Sequence, residues 1–246
     1  MDFDDLAQSI SALSDHDLIQ RLPQLLLDWE QDDRTVLYIL LALAVGFAIG
    51  RLRAYRGYRA SIFQNRSEAL LSRAALKNFG PPDYHLINHV TLQLKDGTTQ
   101  VDHILVSRFG VFVIETKDYK GWIFANAKQA NWTQVLFKSK FKFQNPILQN
   151  FRHVRAVQGL LDFLPPGIIQ SVVVFTGEAE FKTAVPQGVF SLAGLIQYLH
   201  DQTVEVMSVN RVQFCVGRLE TARLAISRQT DVEHIQSLER RHGSAI

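Results

Sequence analysis

Cysteine is nearly absent, with Cys215 standing alone in 246 residues. A lone thiol excludes an internal disulfide and any zinc site built from several cysteines, and it suits a reducing compartment. Cys215 itself reads as a small buried hydrophobe. Internal repeats and low-complexity tracts are also missing, which removes solenoids and compositionally biased tails from consideration. Charge is missing from one stretch in particular, since the sixteen residues Thr35 to Gly50 carry none. At 47% hydrophobic, the chain has ample material for a folded core.

The net charge of +2 conceals two parts of opposite sign. Residues 1–34 hold nine acids and two arginines, whereas residues 51–246 hold 24 bases against 15 acids. The basic remainder suits a polyanionic partner such as nucleic acid, although solubility alone explains the same excess. Between the two parts, the uncharged run predicts one membrane helix over residues 35–52. Its uncharged core would span roughly 24 Å, slightly short of a bilayer core of about 30 Å. Leu52 and snorkelling arginines cover the shortfall. A buried core helix is the competing reading, but such helices keep a polar stripe and this run has none.

Arg51, Arg53, Arg56, Arg59 and Arg66 follow the run, and Glu30, Asp32 and Asp33 precede it. By the positive-inside tendency the protein is expected to pass once through the inner, cytoplasmic membrane with its C-terminal part in the cytoplasm. No basic segment precedes the run, which argues against a cleaved signal peptide. Ala42, Gly46 and Gly50 repeat at four-residue spacing, which would let two such helices approach as a homodimer.

The remainder divides into a basic juxtamembrane linker over 53–66, an α/β domain over 67–220 and a C-terminal helix or tail over 221–246, with 1–34 as an acidic N-terminal segment. Helical spacing of Leu70, Leu71, Ala74, Ala75 and Phe79 predicts a helix over 67–79, stopped by Gly80-Pro81-Pro82. Strand-like runs follow at 85–94, 100–107 and 111–117, with shorter ones at 121–125 and 132–137. Apolar residues from Pro146 to Leu164 recur at helical period. Ser171 to Phe175 then reads as a strand buried on both faces, which implies helices on each side. A short strand near Val189 and helices over 192–200 and 209–218 complete an α/β sandwich.

If the second and third strands pair about the turn Ser107-Arg108-Phe109-Gly110, paired residues sum to 217, and Asp102 falls opposite Glu115 on one face. Two carboxylates at that spacing repel unless a cation sits between them. Alternation brings Lys117 to the same face. Two hard oxygen donors and a lysine suit Mg²⁺ or Mn²⁺ and a phosphate oxygen, the lysine orienting water or meeting charge on phosphorus. The competing reading is a surface Glu115–Lys117 ion pair, with Asp102 ending a strand. The apolar surroundings weigh against it.

Asp102 followed by Glu115-Thr116-Lys117 resembles the D…(D/E)xK motif of the restriction-endonuclease-like PD-(D/E)xK superfamily. The wider string VDHILVSRFGVFVIETKDYKGWI, then Trp132, Asn145-Pro146 and Gln149-Asn150, is similar to the nuclease-related domain, NERD. The resemblance spans roughly Glu68 to Phe175 and implies an α/β/α sandwich with a mixed central sheet. It further implies metal-dependent hydrolysis of nucleic acid, DNA ahead of RNA. By that resemblance Glu68, on the first helix, joins Asp102 and Glu115 as a metal ligand, and Gln149 assists. Ser67 stands where the family usually has glycine, so the helix start is open, and a solvated acid favoured by the helix dipole is the alternative for Glu68.

Asn145 is expected to cap the following helix, with Pro146 in its first turn. His103 points away from Asp102 and reads as a packed or hydrogen-bonded histidine. Trp122 and Trp132 read as core or hairpin residues, with base stacking as the alternative. Lys120, Lys138, Lys140 and Lys142, interleaved with phenylalanines, would grip nucleic-acid phosphates; a solvated strand face explains the same alternation. The function expected is a membrane-anchored nuclease. Its alternative is a catalytically silent module that holds nucleic acid or protein at the membrane.

Overall fold

The computed structural model describes residues 41–48, 50–51, 66–165 and 167–242. The chain divides into two units, residues 1–58 and 59–246. In the first, residues 41–48 and 50–51 are helical and exposed. Among the described residues, no helix is long and apolar enough to cross a membrane. The helix expected over 35–52 is thus helical where it is described, and its remainder lies outside the described residues, as do the acidic segment 1–34 and the linker 53–65.

The second unit opens with helix α1 (Arg66–Asn78), followed by strands β1 (Tyr84–Leu94), β2 (Gly97–Ser107) and β3 (Gly110–Lys117). Helix α2 (Pro146–Leu160) crosses over to β7 (Ile169–Phe175), and β9 (Val189–Ser191) leads into α3 (Leu192–His200). The main sheet runs in the order β1-β2-β3-β7-β9. Its first three strands are antiparallel, and β3, β7 and β9 are parallel, so the sheet is mixed.

Period-two alternation delivers side chains to both faces. On one face Val154 and Val157 of α2, with Val212, Cys215 and Leu219 of α4 (Val209–Ala222), cover Val101, Ile104, Val106 and Val113. On the other, Leu71 of α1 with Leu195 and Leu199 of α3 covers Leu105, Phe112, Ile114 and Val172. The result is the expected α/β/α layering, with Cys215 fully buried.

A second sheet, ordered β6-β5-β4-β8, consists of β4 (Gly121–Phe124), β5 (Asn131–Leu136), β6 (Ser139–Gln144) and β8 (Ala179–Phe181). Strand β6 has the alternation of a solvated face, whereas β8 is too short for periodicity to reveal. Gly121 sits at φ +76°, and a Cβ there would lie 2.5 Å from the carbonyl oxygen of Val135, so the Lys120-Gly121 pair needs its glycine. Trp132 is buried between the sheets among Phe175, Phe143 and Phe181.

Asn145 caps α2 as expected, its side chain accepting from the amide of Ile147 at 2.9 Å. Its Nδ2 also donates to the carbonyls of Asn126, Ala127 and Gln129 at 3.3, 3.1 and 2.8 Å, tying the β4–β5 loop to the helix start. Asn145→Ala removes the cap and leaves those carbonyls short of a donor. It is expected to destabilise the domain by about 2 kcal/mol, measured by denaturant unfolding.

The last described element, α5 (Arg228–His242), gives helical form to the C-terminal residues. It is pinned to the start of β2 by two bonds. Ser237 Oγ accepts from the amide of Thr98 at 3.1 Å, and His234 Nδ1 lies 2.8 Å from Thr98 Oγ1.

Candidate nuclease site

The register of β2 and β3 sums to 217 in all five pairs from His103↔Ile114 to Ser107↔Gly110. The ladder stops there, and Asp102 and Glu115 are not paired through their backbones. On the other side of β2, pairing with β1 skips from Asn88↔His103 to Val90↔Val101, and His89 sits in the left-handed region at φ 52°. The core-facing residues of β2 accordingly change phase, from Ile104 and Val106 to Val101. One residue on each strand, His89 and Asp102, drops out of the pairing while the register stays the same on both sides, and this break frees Asp102 from both neighbours.

The Asp102 carboxylate takes over the bonds that the ladder drops. Its Oδ2 accepts from the Thr116 amide and from Thr116 Oγ1, each at 2.8 Å. Glu115, only 3% exposed, turns to the α2 face, where its Oε1 accepts from Lys117 Nζ at 2.7 Å. Lys117 Nζ donates in turn to Gln149 Oε1 on α2 at 3.0 Å. Asp102, Glu115, Lys117 and Gln149 are therefore gathered as one group.

His153, one turn beyond Gln149 on α2, completes the group. Its Nε2 lies 3.3 Å from Glu115 Oε2 but out of line for a hydrogen bond, and its Nδ1 lies 2.8 Å from Thr99 Oγ1. With a proton on Nε2 facing the carboxylate, Nδ1 accepts from the Thr99 hydroxyl. Sequence reasoning passed over His153, although its four-residue spacing from Gln149 puts both on one helix face. The same helix supplies Asn150, whose buried Nδ2 donates to the carbonyls of Val113 and Val172 at 2.9 and 3.0 Å and so anchors α2 across β3 and β7.

Electrostatics separates the roles of the two acids. Burial, then the charge of Glu115, pushes the Asp102 carboxyl up to about 6, against the Thr116 bonds and Lys117. Burial would also raise Glu115, but His153 and Lys117 outweigh it and hold the carboxyl below its usual range. Lys117 is desolvated, yet the Glu115 and Asp102 charges push its ammonium upward, so it is a cation at neutral pH rather than a base. Thr116→Val deletes one of the two bonds that stabilise ionised Asp102 while keeping the amide donor. Asp102 should then titrate at higher pH, read from its carboxyl signal in NMR titration.

Asp102, Gln149 and His153 border a cleft of about 610 Å³ between α2 and α5, floored by Thr99, Gln100 and Asp102 and walled by Gln149 and His153 opposite His234, with Glu115 and Lys117 bonded behind that lining. Among the described residues, no three His, Cys, Asp or Glu side chains form a ready-made metal cage. The donor set still fits a divalent cation. Glu115 Oε2 is buried with no in-line hydrogen bond, His153 Nε2 standing 3.3 Å from it, and Asp102 has its charge opposed by the neighbouring carboxylate. Glu68 is buried in the first turn of α1.

His103 is fully buried, with Nδ1 2.7 Å from Asn88 Oδ1, and burial lowers its pKa to about 3, so it is the neutral packed histidine expected. Trp132 is core, but Trp122 is 49% exposed, with Lys182 Nζ 4.8 Å from its ring centroid. Lys120, Lys138, Lys140 and Lys142 are all exposed on or beside the second sheet.

A mixed-sheet α/β sandwich carrying an Asp…Glu-x-Lys set beside a cleft defines a nuclease-like class of protein. Residues 64–176 match the nuclease-related domain, NERD, and the chain belongs to that family. A relative in Bacillus anthracis, described as an uncharacterized protein, is 32% identical over 166 residues, covering 67% of this chain and 70% of its own length. No solved structure matches.

Proposed function

We propose that this chain is a membrane-anchored nuclease of the PD-(D/E)xK type that hydrolyses phosphodiester bonds, in DNA ahead of RNA, with Mg²⁺ or Mn²⁺. The observation that carries the reading is the chain of contacts from Asp102 through Thr116 and from Glu115 through Lys117 to Gln149, at the wall of an open cleft. Asp102 and Glu115 would hold the cation, with Glu68 as a further candidate ligand. A bound Mg²⁺ would supply Lewis acidity toward a phosphoryl oxygen and a more acidic water. Lys117, kept cationic by its acidic neighbours, meets negative charge developing on phosphorus. Gln149 fixes the lysine's direction, and His153 with Thr99 fixes the glutamate.

The uncharged run over 35–52 and the arginines after it support a single-pass anchor in the cytoplasmic membrane with the catalytic domain on the cytoplasmic side. The exposed Ala42, Gly46 and Gly50 would let two anchors pair. A reporter fused after Arg66 tests sidedness, and its export would overturn the orientation. For activity, the purified chain is incubated with plasmid, single-stranded DNA and RNA in Mg²⁺, Mn²⁺ or EDTA, beside Asp102→Ala and Lys117→Ala. Metal-dependent cutting that both variants lose supports the enzyme, whereas binding without cutting makes the protein a tethered nucleic-acid module.

A further inference from the structure

The register of the second sheet assigns residues to its two faces. Ile123, Gln134 and Phe141 are paired across β4, β5 and β6 on one face, where Ile123, Trp132 and Phe143 pack into the core and Phe141 stays 51% exposed. The other face carries two cross-strand rows, Trp122–Val135–Lys140 and Phe124–Thr133–Lys142. The lysines therefore share their face with Trp122 and Phe124, 49% and 40% exposed, rather than with the phenylalanines that alternate with them in sequence. Lys182 adds a third cation over the Trp122 ring, and Glu180, its partner in an ion pair, is the acid of this edge.

Lys140, Lys142 and Gln144 alternate onto that same face of β6, and Gln144 lines the cleft that holds Asp102 and Gln149. Residues two apart on a strand stand about 6.7 Å from one another, comparable to the step between successive phosphates of an extended strand. Two cations, Lys140 and Lys142, with aromatic rings beside them thus lie along β6 and lead through Gln144 to the cleft.

We propose that this face is a track for single-stranded nucleic acid, which lays its phosphates along Lys140 and Lys142, stacks bases on Trp122 and Phe124, and enters the cleft at Gln144. The track rests on the nuclease reading for its purpose but not for its chemistry. Aromatic rings reach bases only where these are unpaired, and stacking of this kind tolerates any sequence.

The test is fluorescence anisotropy of the full chain in detergent, with EDTA present to prevent cutting. Its probes are a labelled 20-nucleotide oligo-dT strand, a duplex of equal length and, separately, anionic phosphatidylglycerol vesicles. The strand should bind about tenfold tighter than the duplex. Lys140→Gln with Lys142→Gln should weaken it about tenfold and reduce the salt slope by about 1.4, from about 0.7 for each phosphate left without its lysine. Trp122→Ala should weaken binding about tenfold with the salt slope unchanged, and Trp122→Phe should recover most of the loss. Glu180→Gln should tighten it.

Equal or tighter duplex binding, or lysine and tryptophan variants that bind like the wild type, would overturn the track. So would a loss confined to the vesicles, which would make the face a lipid-binding surface instead. Cutting assays separate the two readings. Strand binding through this face without any metal-dependent cutting sinks the nuclease and leaves the track, whereas cutting by the lysine variants at unchanged KM on the strand sinks the track and leaves the nuclease.

Discussion

Asp102→Asn should make the metal-free protein more stable while abolishing hydrolysis. The cause is the burial of Asp102 beside a second carboxylate, which raises its pKa from 3.8 to about 6. A carboxyl whose folded pKa is raised costs stability once it ionises. The cost is absent below about pH 4, grows as pH rises toward 6, and is constant above that. Discounted for partial solvent access, it is on the order of 1–2 kcal/mol at neutral pH. Asparagine keeps an oxygen to accept the two Thr116 bonds but sheds the charge. Melting curves in EDTA at pH 8 should therefore place the variant above the wild type, with the gap closing toward pH 4. Added Mg²⁺ should raise the wild type and leave Asp102→Asn unmoved. A variant that melts at or below the wild type at pH 8 would mean that Asp102 is not under electrostatic strain.

Lys117→Met should be the most damaging substitution at the site. Lys117 bonds Glu115, which is only 3% exposed, so its loss strands a buried negative charge. Breaking such a pair from one side typically costs about 3–5 kcal/mol. The double variant Glu115→Gln with Lys117→Met removes both charges and should regain most of that stability while remaining unable to cut. Lys117→Arg keeps the charge but carries a planar fork in place of a point donor, so it should recover stability only in part. Denaturant unfolding of the three variants decides the matter. If Lys117→Met is as stable as the wild type, the pair is not the buried interaction described, and its catalytic role loses its electrostatic basis.

Much of this was legible before any coordinates. The turn at Arg108-Phe109-Gly110 implied pairs summing to 217, and five such pairs are present. Lys117 reaches Glu115 because strand alternation is local, and Asn145 caps α2 because a side-chain oxygen at that position bonds an amide two residues on. The Asp102–Glu115 backbone pair was inferred from the same register and is not formed. Nothing in the string Val101-Asp102-His103 announces a break in the pairing. The irregularity arises between strands, where His89 on β1 adopts a positive φ without being glycine or asparagine.

The lysines mark the same boundary. Alternation along β6 correctly separated Lys140 and Lys142 from Phe141 and Phe143, but the aromatic rings beside those lysines come from β4, eighteen residues earlier at Trp122 to Lys140. Likewise His153 faces Glu115 from a crossover helix, and His234 closes the cleft from α5.

By itself the sequence determined what depends on neighbours along the chain: the apolar periods, the turns, the cap, the layered fold and the motif that names the family. Tertiary structure alone decided which groups from distant segments meet, and therefore how charge is distributed among them. The acid with the raised pKa, the buried Glu115 carboxylate and the histidine beside it are products of burial and approach. Both vary with three-dimensional distance, which local spacing does not encode.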